Sequence, residues 1–183
     1  MNTIESEILQ HLNDPIQREK IFSQVVRLYQ ERIYWHIRKM LIVHEDADDV
    51  MQNTFMKAWN GLDGFRGDSL ISTWLYRIAT NETLTFLANK KAKTTISVDA
   101  EDDWVANTLR ADTYFDGDDL QIRLQQAIST LPDKQRLVFN MKYYDNHTYE
   151  EMEAILGTST GALKASYFHA VRKIEKFFDI EKQ

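Results

Sequence analysis

The chain has 183 residues, 43% of them hydrophobic and 11% aromatic, which is enough apolar material for one ordinary domain or two small ones and excludes a disordered protein. Only six glycines and two prolines are present, which disfavours an all-β fold with many tight turns and predicts an all-α fold class. A net charge of −6 argues against a free-standing nucleic-acid-binding protein, and the absence of cysteine and of any apolar run of about 18 residues indicates a soluble, cytoplasmic protein.

Residues 1–89 are predicted to form a small N-terminal bundle of three long helices. In the first helix, apolar residues recur at spacings of three and four from Ile21 to Met40, which is typical of an amphipathic helix. Asp46 is expected to cap the second helix, which ends near Gly61. After a loop, Ser69 is expected to cap the third helix.

Residues 90–119 are predicted to be an acidic linker. They contain 4 basic and 8 acidic side chains, whereas residues 1–89 contain 9 and 12 and residues 120–183 contain 9 and 8. Most of the acidic excess is therefore in the middle of the chain. We expect no sustained helical apolar stripe there, and a flexible tether between two helical domains.

Residues 120–183 are predicted to form a second small helical domain that contains a helix-turn-helix. Pro132 suits the first position of one helix. Thr148 and Glu151 have the spacing of a capping box at the start of a short helix, which Gly157 would end. Ser159 can then cap the final helix, so a short turn separates the last two helices.

The final helix sorts into two faces. Leu163, Tyr167, Ala170 and Ile174 share the side that would face the core, and the opposite side carries Thr160, Lys164, Phe168 and Arg172. In a helix-turn-helix the second helix lies in the DNA major groove, where cations can bond guanine edges or phosphates. The pattern alone leaves open whether this face contacts DNA or is only a solvated surface.

Both domains resemble the extracytoplasmic-function (ECF, group IV) RNA polymerase sigma factors. In the C-terminal domain the resemblance rests on LPDKQRLVFN and on TYEEMEAILGTSTGALKASYFHAVRKI. In the N-terminal domain, DADDVMQNTFMKAW is similar to the family's polymerase-binding helix, and FRGDSLISTWLYRIATNETLTFL to its promoter-melting segment. The resemblance covers about residues 15–90 and 120–178. Two motif-rich domains in the family's order are a stronger signal than either alone.

The resemblance implies a transcription initiation factor and its partners. Residues 1–89 would correspond to sigma region 2, which binds core polymerase and recognises and melts the minus-ten element, and residues 120–183 to region 4, which reads the minus-thirty-five element. The partners implied are the β′ and β subunits of core RNA polymerase, promoter DNA and an anti-sigma factor, with no direct membrane insertion. We expect no cofactor and no metal.

Acidic and amide side chains on the outer face of the second helix are the candidate polymerase-binding residues. They suit pairing with basic groups of a large partner, which the resemblance identifies as the β′ coiled coil. The alternative is that the acids only stabilise the helix N-terminus. The set, with one neighbouring aromatic residue, is Asp46, Asp48, Asp49, Gln52, Asn53 and Phe55.

The candidate minus-ten residues come from the loop and the third helix. Aromatic, cationic and amide groups can hold unstacked bases of single-stranded DNA, and nearby lysines can approach phosphates. For Trp74 a place in the core is favoured over DNA contact. The set is Phe65, Arg66, Trp74, Arg77, Asn81, Lys90 and Lys91.

The candidate minus-thirty-five residues are Thr160, Lys164, Ala165, Phe168, His169 and Arg172. Two departures from the family pattern bear on them. Ala165 and Ser166 stand where more polar or basic residues are common, so the cognate DNA sequence cannot be inferred. The basic cluster around Lys90 is also thin, which predicts weak nonspecific binding to duplex DNA.

Two alternative functions remain at this point. A stand-alone helix-turn-helix regulator would bind duplex DNA as a dimer through the same C-terminal domain and would have no need to dock polymerase. A helical enzyme or metal protein would need a nucleophile with a nearby base or a ligand cluster, and neither pattern is found in the sequence. We therefore expect a non-enzymatic protein.

Overall fold

The computed structural model describes residue 14 and residues 17–93, 98–112 and 117–180. In these ranges the protein contains α-helices and one short 3-10 helix and no β-strand, which confirms the all-α prediction. The helices are α1 Arg18–Arg38, α2 His44–Gly61, the 3-10 helix Leu62–Gly64, α3 Ile71–Lys93, α4 Val98–Ala111, α5 Asp119–Ser129, α6 Asp133–Tyr143, α7 Tyr149–Leu156 and α8 Thr160–Ile180. None of these described helices is long and apolar enough to cross a lipid bilayer.

Helices α1, α2 and α3 form the N-terminal bundle. Each packs against the other two, and the predicted apolar stripe of α1 lies in the core, with Val25, Ile33 and Ile37 fully buried. The predicted caps were wrong. Val43 precedes α2, so Asp46 lies inside its first turn, where a negative charge interacts favourably with the helix dipole. Helix α3 begins at Ile71, two residues after Ser69.

Helices α5 to α8 form the C-terminal domain, and its local signals were largely predicted. Thr148 Oγ1 accepts a hydrogen bond from the Glu151 amide, and Glu151 accepts one from the Thr148 amide, so the capping box is present. Gly157 ends α7 in the left-handed conformation, with φ 64°. Ser159 Oγ accepts a bond from the Ala162 amide at the start of α8. Pro132 lies one position earlier than predicted, as the residue that precedes α6.

The linker contains a helix, α4, which the sequence analysis did not predict. Its apolar stripe is short, because Val105 and Leu109 are one turn apart and buried together with Ala106. The first turns of the helix itself are acidic, with Asp99, Glu101, Asp102 and Asp103, and this obscured the stripe. Helix α4 packs against α5, and Asp112 at its end accepts a hydrogen bond from the buried Arg38 of α1. The linker is therefore attached to both domains, through α5 on one side and Arg38 on the other.

The two domains are in direct contact, through a surface that we call the interdomain interface. Helix α3 packs against α7, and one continuous apolar core includes residues of both domains. From the C-terminal domain it contains Leu137, Val138, Met141, Met152, Ile155 and Leu163. A second cluster lies entirely within the C-terminal domain, around Ile128, Phe139 and Ala170. The relative orientation of the domains could not be predicted from local sequence patterns.

Candidate functional site

The outer face of α8 is the first candidate surface. Leu163, Ala170 and Ile174 are buried against the rest of the domain, and Tyr167 is half-buried, so the predicted inner face is correct. The opposite face is exposed except for the half-buried Thr160. It presents Lys164, Ala165, Phe168, His169 and Arg172. The turn at Gly157 and the cap at Ser159 set the direction in which this face points.

Two cations on the outer face of α8 lie over aromatic rings. Lys164 Nζ lies 5.6 Å from the centroid of the Tyr149 ring, and the Arg172 guanidinium lies 5.4 Å from that of Phe168, whose side chain is 54% exposed. Such contacts are weak at exposed sites, so these groups can exchange them for DNA. Lys173 and Lys176 are also exposed on α8. Sequence reasoning passed over them, although basic residues four and seven positions beyond His169 could have indicated an extended cationic surface.

The outer face of α2 is the second candidate surface. Asp49, Gln52 and Asn53 are exposed, as predicted for this helix, and Asp48 is half-buried beside His44. Asp46 is half-buried too. Phe55 is half-buried and lines a groove rather than the outer surface.

This groove lies between α1 and α2 next to the acidic residues, and we call it the α1–α2 groove. It has a volume of about 510 Å³ and is lined mainly by Phe22, Val26, Met51, Phe55, Met56 and Trp59. The side chain of Met56 is 62% exposed. Sequence reasoning missed the apolar residues that α1 contributes. Their signal was the pair Phe22 and Val26, which are one turn apart and flank the buried stripe.

The predicted minus-ten residues divide into buried and exposed ones. Phe65 is only 9% exposed, and its ring centroid is 5.0 Å from that of the half-buried Trp74, so both belong to the domain core. Arg66 and Asn81 are exposed. Trp74, Arg77 and Asn81 lie on one face of α3, since they are three and four residues apart. The favoured core placement of Trp74 agrees with the structure.

Three cations of the predicted minus-ten set have protein partners. Arg77 donates a hydrogen bond to the carbonyl oxygen of Ala154 in α7. Lys90 pairs with Asp46, and Lys91 Nζ lies 2.9 Å and 3.0 Å from the two carboxylate oxygens of Asp133 in α6. In this arrangement, two predicted DNA contacts are therefore used to hold the C-terminal domain.

A polar cluster at the interdomain interface was not predicted. Asp145, in the loop after α6, accepts hydrogen bonds from Lys39 and from Nδ1 of His36, while Nε2 of His36 is 3.0 Å from Thr80 Oγ1. Burial opposes ionisation of Asp145, but the hydrogen bonds and charges of His36 and Lys39 outweigh it and lower its pKa. The residues come from α1, α3 and the loop, so no local pattern could join them.

Two neighbouring rings complete this cluster. Tyr76 packs edge-to-face against His36 and His147, with centroids 5.0 Å and 4.9 Å apart. Burial raises the pKa of Tyr76 to about 12 and lowers the pKa of His147, because it disfavours the charged forms. The side chains of this cluster are mostly buried, and they connect the two domains.

Comparison with known proteins identifies both domains. The Sigma-70 region 2 family matches residues 25–93, and the Sigma-70, region 4 family matches residues 121–174. The ECF RNA polymerase sigma factor SigW of Bacillus subtilis is 35% identical over 156 residues, which cover 78% of this chain and 81% of that protein. The RNA polymerase sigma-H factor of Pseudomonas aeruginosa is 29% identical over 177 residues, covering 91% and 92%.

A solved structure has the same fold. It is the sigma factor RpoE in complex with the anti-sigma factor NepR from Bartonella quintana, with a TM-score of 0.67, 21% identity and coverage of 88% of this chain and 98% of that one. A helical bundle followed by a helix-turn-helix, matched by both sigma families, defines a DNA-reading initiation factor of RNA polymerase. The chain belongs to the extracytoplasmic-function family of sigma factors. It is a factor that directs RNA polymerase to promoters.

Proposed function

We propose that three separate surfaces of the chain perform the steps of promoter selection. The outer face of α8 reads the minus-thirty-five element, through Thr160, Lys164, Ala165, Phe168, His169 and Arg172. The observation that carries this assignment is the division of α8 into a buried face and an exposed face with cations and one exposed aromatic ring. Lysine and arginine can bond guanine edges, and Phe168 can contact a thymine methyl group.

Helix α3 and the loop before it hold the minus-ten element. The groups that contact an unstacked base or its phosphate come from Arg66, Arg77 and Asn81. Arg66 and Asn81 are exposed, and Arg77 donates a hydrogen bond to a main-chain carbonyl oxygen that it can exchange for DNA. The buried pair Phe65 and Trp74 fixes the shape of the loop and supports the base-binding side. Lys90 and Lys91 approach phosphates after leaving their present carboxylate partners.

The outer face of α2 and the α1–α2 groove bind core polymerase. Asp46, Asp48, Asp49, Gln52 and Asn53 supply negative and amide groups for basic residues of the β′ subunit. Phe55 and Met56 supply the apolar part of the contact. A charged rim beside an apolar groove is the usual composition of a protein–protein interface.

The proposed domains are residues 1–89 and 120–183, joined by a linker at 90–119. The last four residues of α3, up to Lys93, extend into this linker, and α4 lies within it. The chain catalyses no reaction itself and acts in the cytoplasm, together with polymerase and the chromosome. Its activity is regulated by an anti-sigma factor, which the complex of the similar Bartonella quintana sigma factor with NepR supports.

Reconstituted transcription tests the division of labour. The chain is mixed with sigma-free core polymerase and a promoter selected from fragments of the source genome, and complex formation is measured separately on native gels. Replacing Asp49 and Gln52 with alanine should weaken polymerase binding about tenfold, whereas Lys164→Ala should leave it unchanged and reduce specific transcripts about tenfold. Lys20→Ala, on the exposed side of α1, is the control. Equal loss of polymerase binding in all variants would contradict the proposal.

A further inference from the structure

We propose that Met56 is a reversible oxidation site, at which an oxygen-donating oxidant such as hydrogen peroxide weakens the binding of core polymerase. Oxidation converts its thioether to methionine sulfoxide at the surface of the α1–α2 groove. The proposal rests on the polymerase-binding role proposed for this groove and adds a modification that regulates it. It does not depend on which residues contact DNA.

Met56 is the methionine that an oxidant reaches most easily in the described part of the chain. The sequence has six methionines and no cysteine, so no thiol competes for the oxidant. Met40, Met141 and Met152 are 2%, 0% and 0% exposed. Met51 is half-buried, whereas Met56 is 62% exposed. Oxidation of a sulfur atom follows its exposure, so Met56 reacts first among these residues.

The modification is the transfer of one oxygen atom to sulfur. A lone pair of the Met56 sulfur atom attacks one oxygen of hydrogen peroxide, and the O–O bond breaks. The second oxygen leaves as hydroxide and takes the proton of the transferred oxygen to form water, so sulfur is oxidised and peroxide is reduced. Methionine sulfoxide reductases reverse the change: a dithiol is oxidised to a disulfide, and the sulfoxide oxygen leaves as water.

The position of Met56 connects this chemistry to polymerase binding. Its side chain lines the α1–α2 groove together with the apolar side chains of Phe22, Phe55 and Trp59. Gln52, which belongs to the polymerase-binding face, is one helical turn before Met56 and lines the same groove. A partner that binds this face and fills the groove therefore covers the sulfur atom.

The sulfoxide is compatible with the fold but not with binding. At a position that is 62% exposed, water hydrates the new oxygen atom, so oxidation leaves the folded protein intact. Polymerase binding removes this water and places the oxygen among apolar side chains. Because a buried polar group without a hydrogen-bond partner is costly, the affinity for core polymerase should fall about tenfold.

The first experiment compares polymerase binding before and after oxidation. The labelled chain is treated with hydrogen peroxide, catalase removes the excess, and fluorescence anisotropy gives the affinity for core polymerase. The parent should lose affinity about tenfold, and the two epimer-specific sulfoxide reductases together should restore it. Peptide mass spectrometry should find the added oxygen on Met56, with Met40, Met141 and Met152 unmodified.

Matched variants separate Met56 from other groups that peroxide can modify. Each variant is its own reference, because the measured quantity is the ratio of its affinities before and after treatment. Met56→Leu removes the sulfur atom and should show no change on treatment. Met51→Leu, in the same groove, should keep the parent's ratio. Met56→Gln carries a permanent polar group and, without any oxidant, should bind polymerase about tenfold more weakly than Met56→Leu.

The second experiment tests whether bound polymerase covers the sulfur atom. The chain is oxidised briefly, either free or with saturating core polymerase, and a methionine-containing reference peptide in both samples corrects for consumption of peroxide. Mass spectrometry then gives the rate at which Met56 sulfoxide forms. This rate should be clearly lower in the complex, because the covered sulfur atom is no longer exposed to the oxidant.

Two outcomes would overturn the oxidation site while leaving the groove as a polymerase contact. One is an unchanged affinity of the parent when mass spectrometry shows Met56 to be oxidised, although Met56→Gln binds more weakly than Met56→Leu. The other is a peroxide response that persists in Met56→Leu. Unfolding of the oxidised parent, seen by circular dichroism, would also contradict the proposal. Equal affinities of the two Met56 variants, with no protection by polymerase, would overturn the role of the groove itself.

Discussion

The Nδ1 atom of His36 lies 3.2 Å from the carboxylate of Asp145, 109 residues further along the chain. This contact joins the end of α1 in the N-terminal domain to the loop that precedes the helix-turn-helix. It lies next to His147, whose ring is packed against Tyr76. The polar cluster between the domains therefore contains groups that respond to pH.

Acidification should lower the free energy of unfolding of the protein. The pKa of His147 is lowered by burial and by the charge of His36, against the opposing effects of Asp145 and Glu151, while Tyr76 covers one edge of its ring. The neutral form is therefore favoured in the fold. Its contribution to stability is present above the unfolded pKa of about 6.5 and is lost as pH falls from there towards the lowered folded pKa.

Urea unfolding between pH 7.5 and 5.5 measures this effect. The parent should lose free energy of unfolding over that range, and His147→Gln should show a smaller loss. His169→Gln, an exposed histidine on α8, should retain the parent's slope. Identical slopes for the parent and His147→Gln would show that this imidazole does not control the response.

The capping box at α7 should be a local determinant of stability. Thr148→Ala removes the acceptor for the Glu151 amide and should cost about 1 kcal/mol in the free energy of unfolding. The hydrogen bond from the Thr148 amide is the main cause of the lowered pKa of Glu151. Thermal or urea unfolding checks the loss, with Thr158→Ala in the exposed turn as the control. A loss no greater than that of the control would contradict the role of the cap.

Two glycines four residues apart should respond in opposite directions to alanine. Gly157 has φ 64°, and nothing lies within 4 Å of an added Cβ, so Gly157→Ala should cost about 1 kcal/mol from backbone strain alone. Gly161 lies in the first turn of α8 with similar open space, so Gly161→Ala should stabilise by roughly 0.5–1 kcal/mol. Calorimetric melting of both variants tests the pair. A stabilising Gly157→Ala would show that the turn tolerates a different conformation.

The α1–α2 groove should contribute to polymerase binding. Met56→Lys introduces a charge at a 62% exposed position, so folding should be retained while the affinity for core polymerase falls at least tenfold. Leu28→Lys, at a 43% exposed position of α1 outside the groove, is the control. Fluorescence anisotropy of the labelled chain titrated with core enzyme gives both affinities. Equal affinities would place the polymerase contact elsewhere.

The features that could be predicted are those that depend on residues close together in the sequence. The capping box of Thr148 and Glu151, the stop at Gly157 and the two faces of α8 each depend on residues within a few positions of one another. The start of α2 is also local, yet the prediction was wrong, because the acidic residues of its first turns, such as Asp46, resemble caps even when the helix begins before them.

Contacts between distant segments could not be predicted. The bond from Arg77 to Ala154 spans 77 residues, and nothing near either residue in the sequence specifies the other. Phe65 was predicted at a DNA-facing loop, where an aromatic ring can serve either a base or the core, and only packing against Trp74 shows its burial. Helix α4 was missed because a stripe of two buried turns is too short to stand out against acidic neighbours.

The ion pair of Lys90 with Asp46 connects two surfaces that have different partners. Asp46 belongs to the proposed polymerase-binding face and Lys90 to the proposed promoter-binding set. A basic side chain of polymerase that binds Asp46 competes with Lys90 for the same carboxylate, and so increases the positive charge that can meet a phosphate. Such competition makes the two binding events thermodynamically cooperative, and linkage requires the same factor in both directions. Bound promoter DNA would then increase the affinity of the chain for polymerase by the same factor as bound polymerase increases its affinity for DNA.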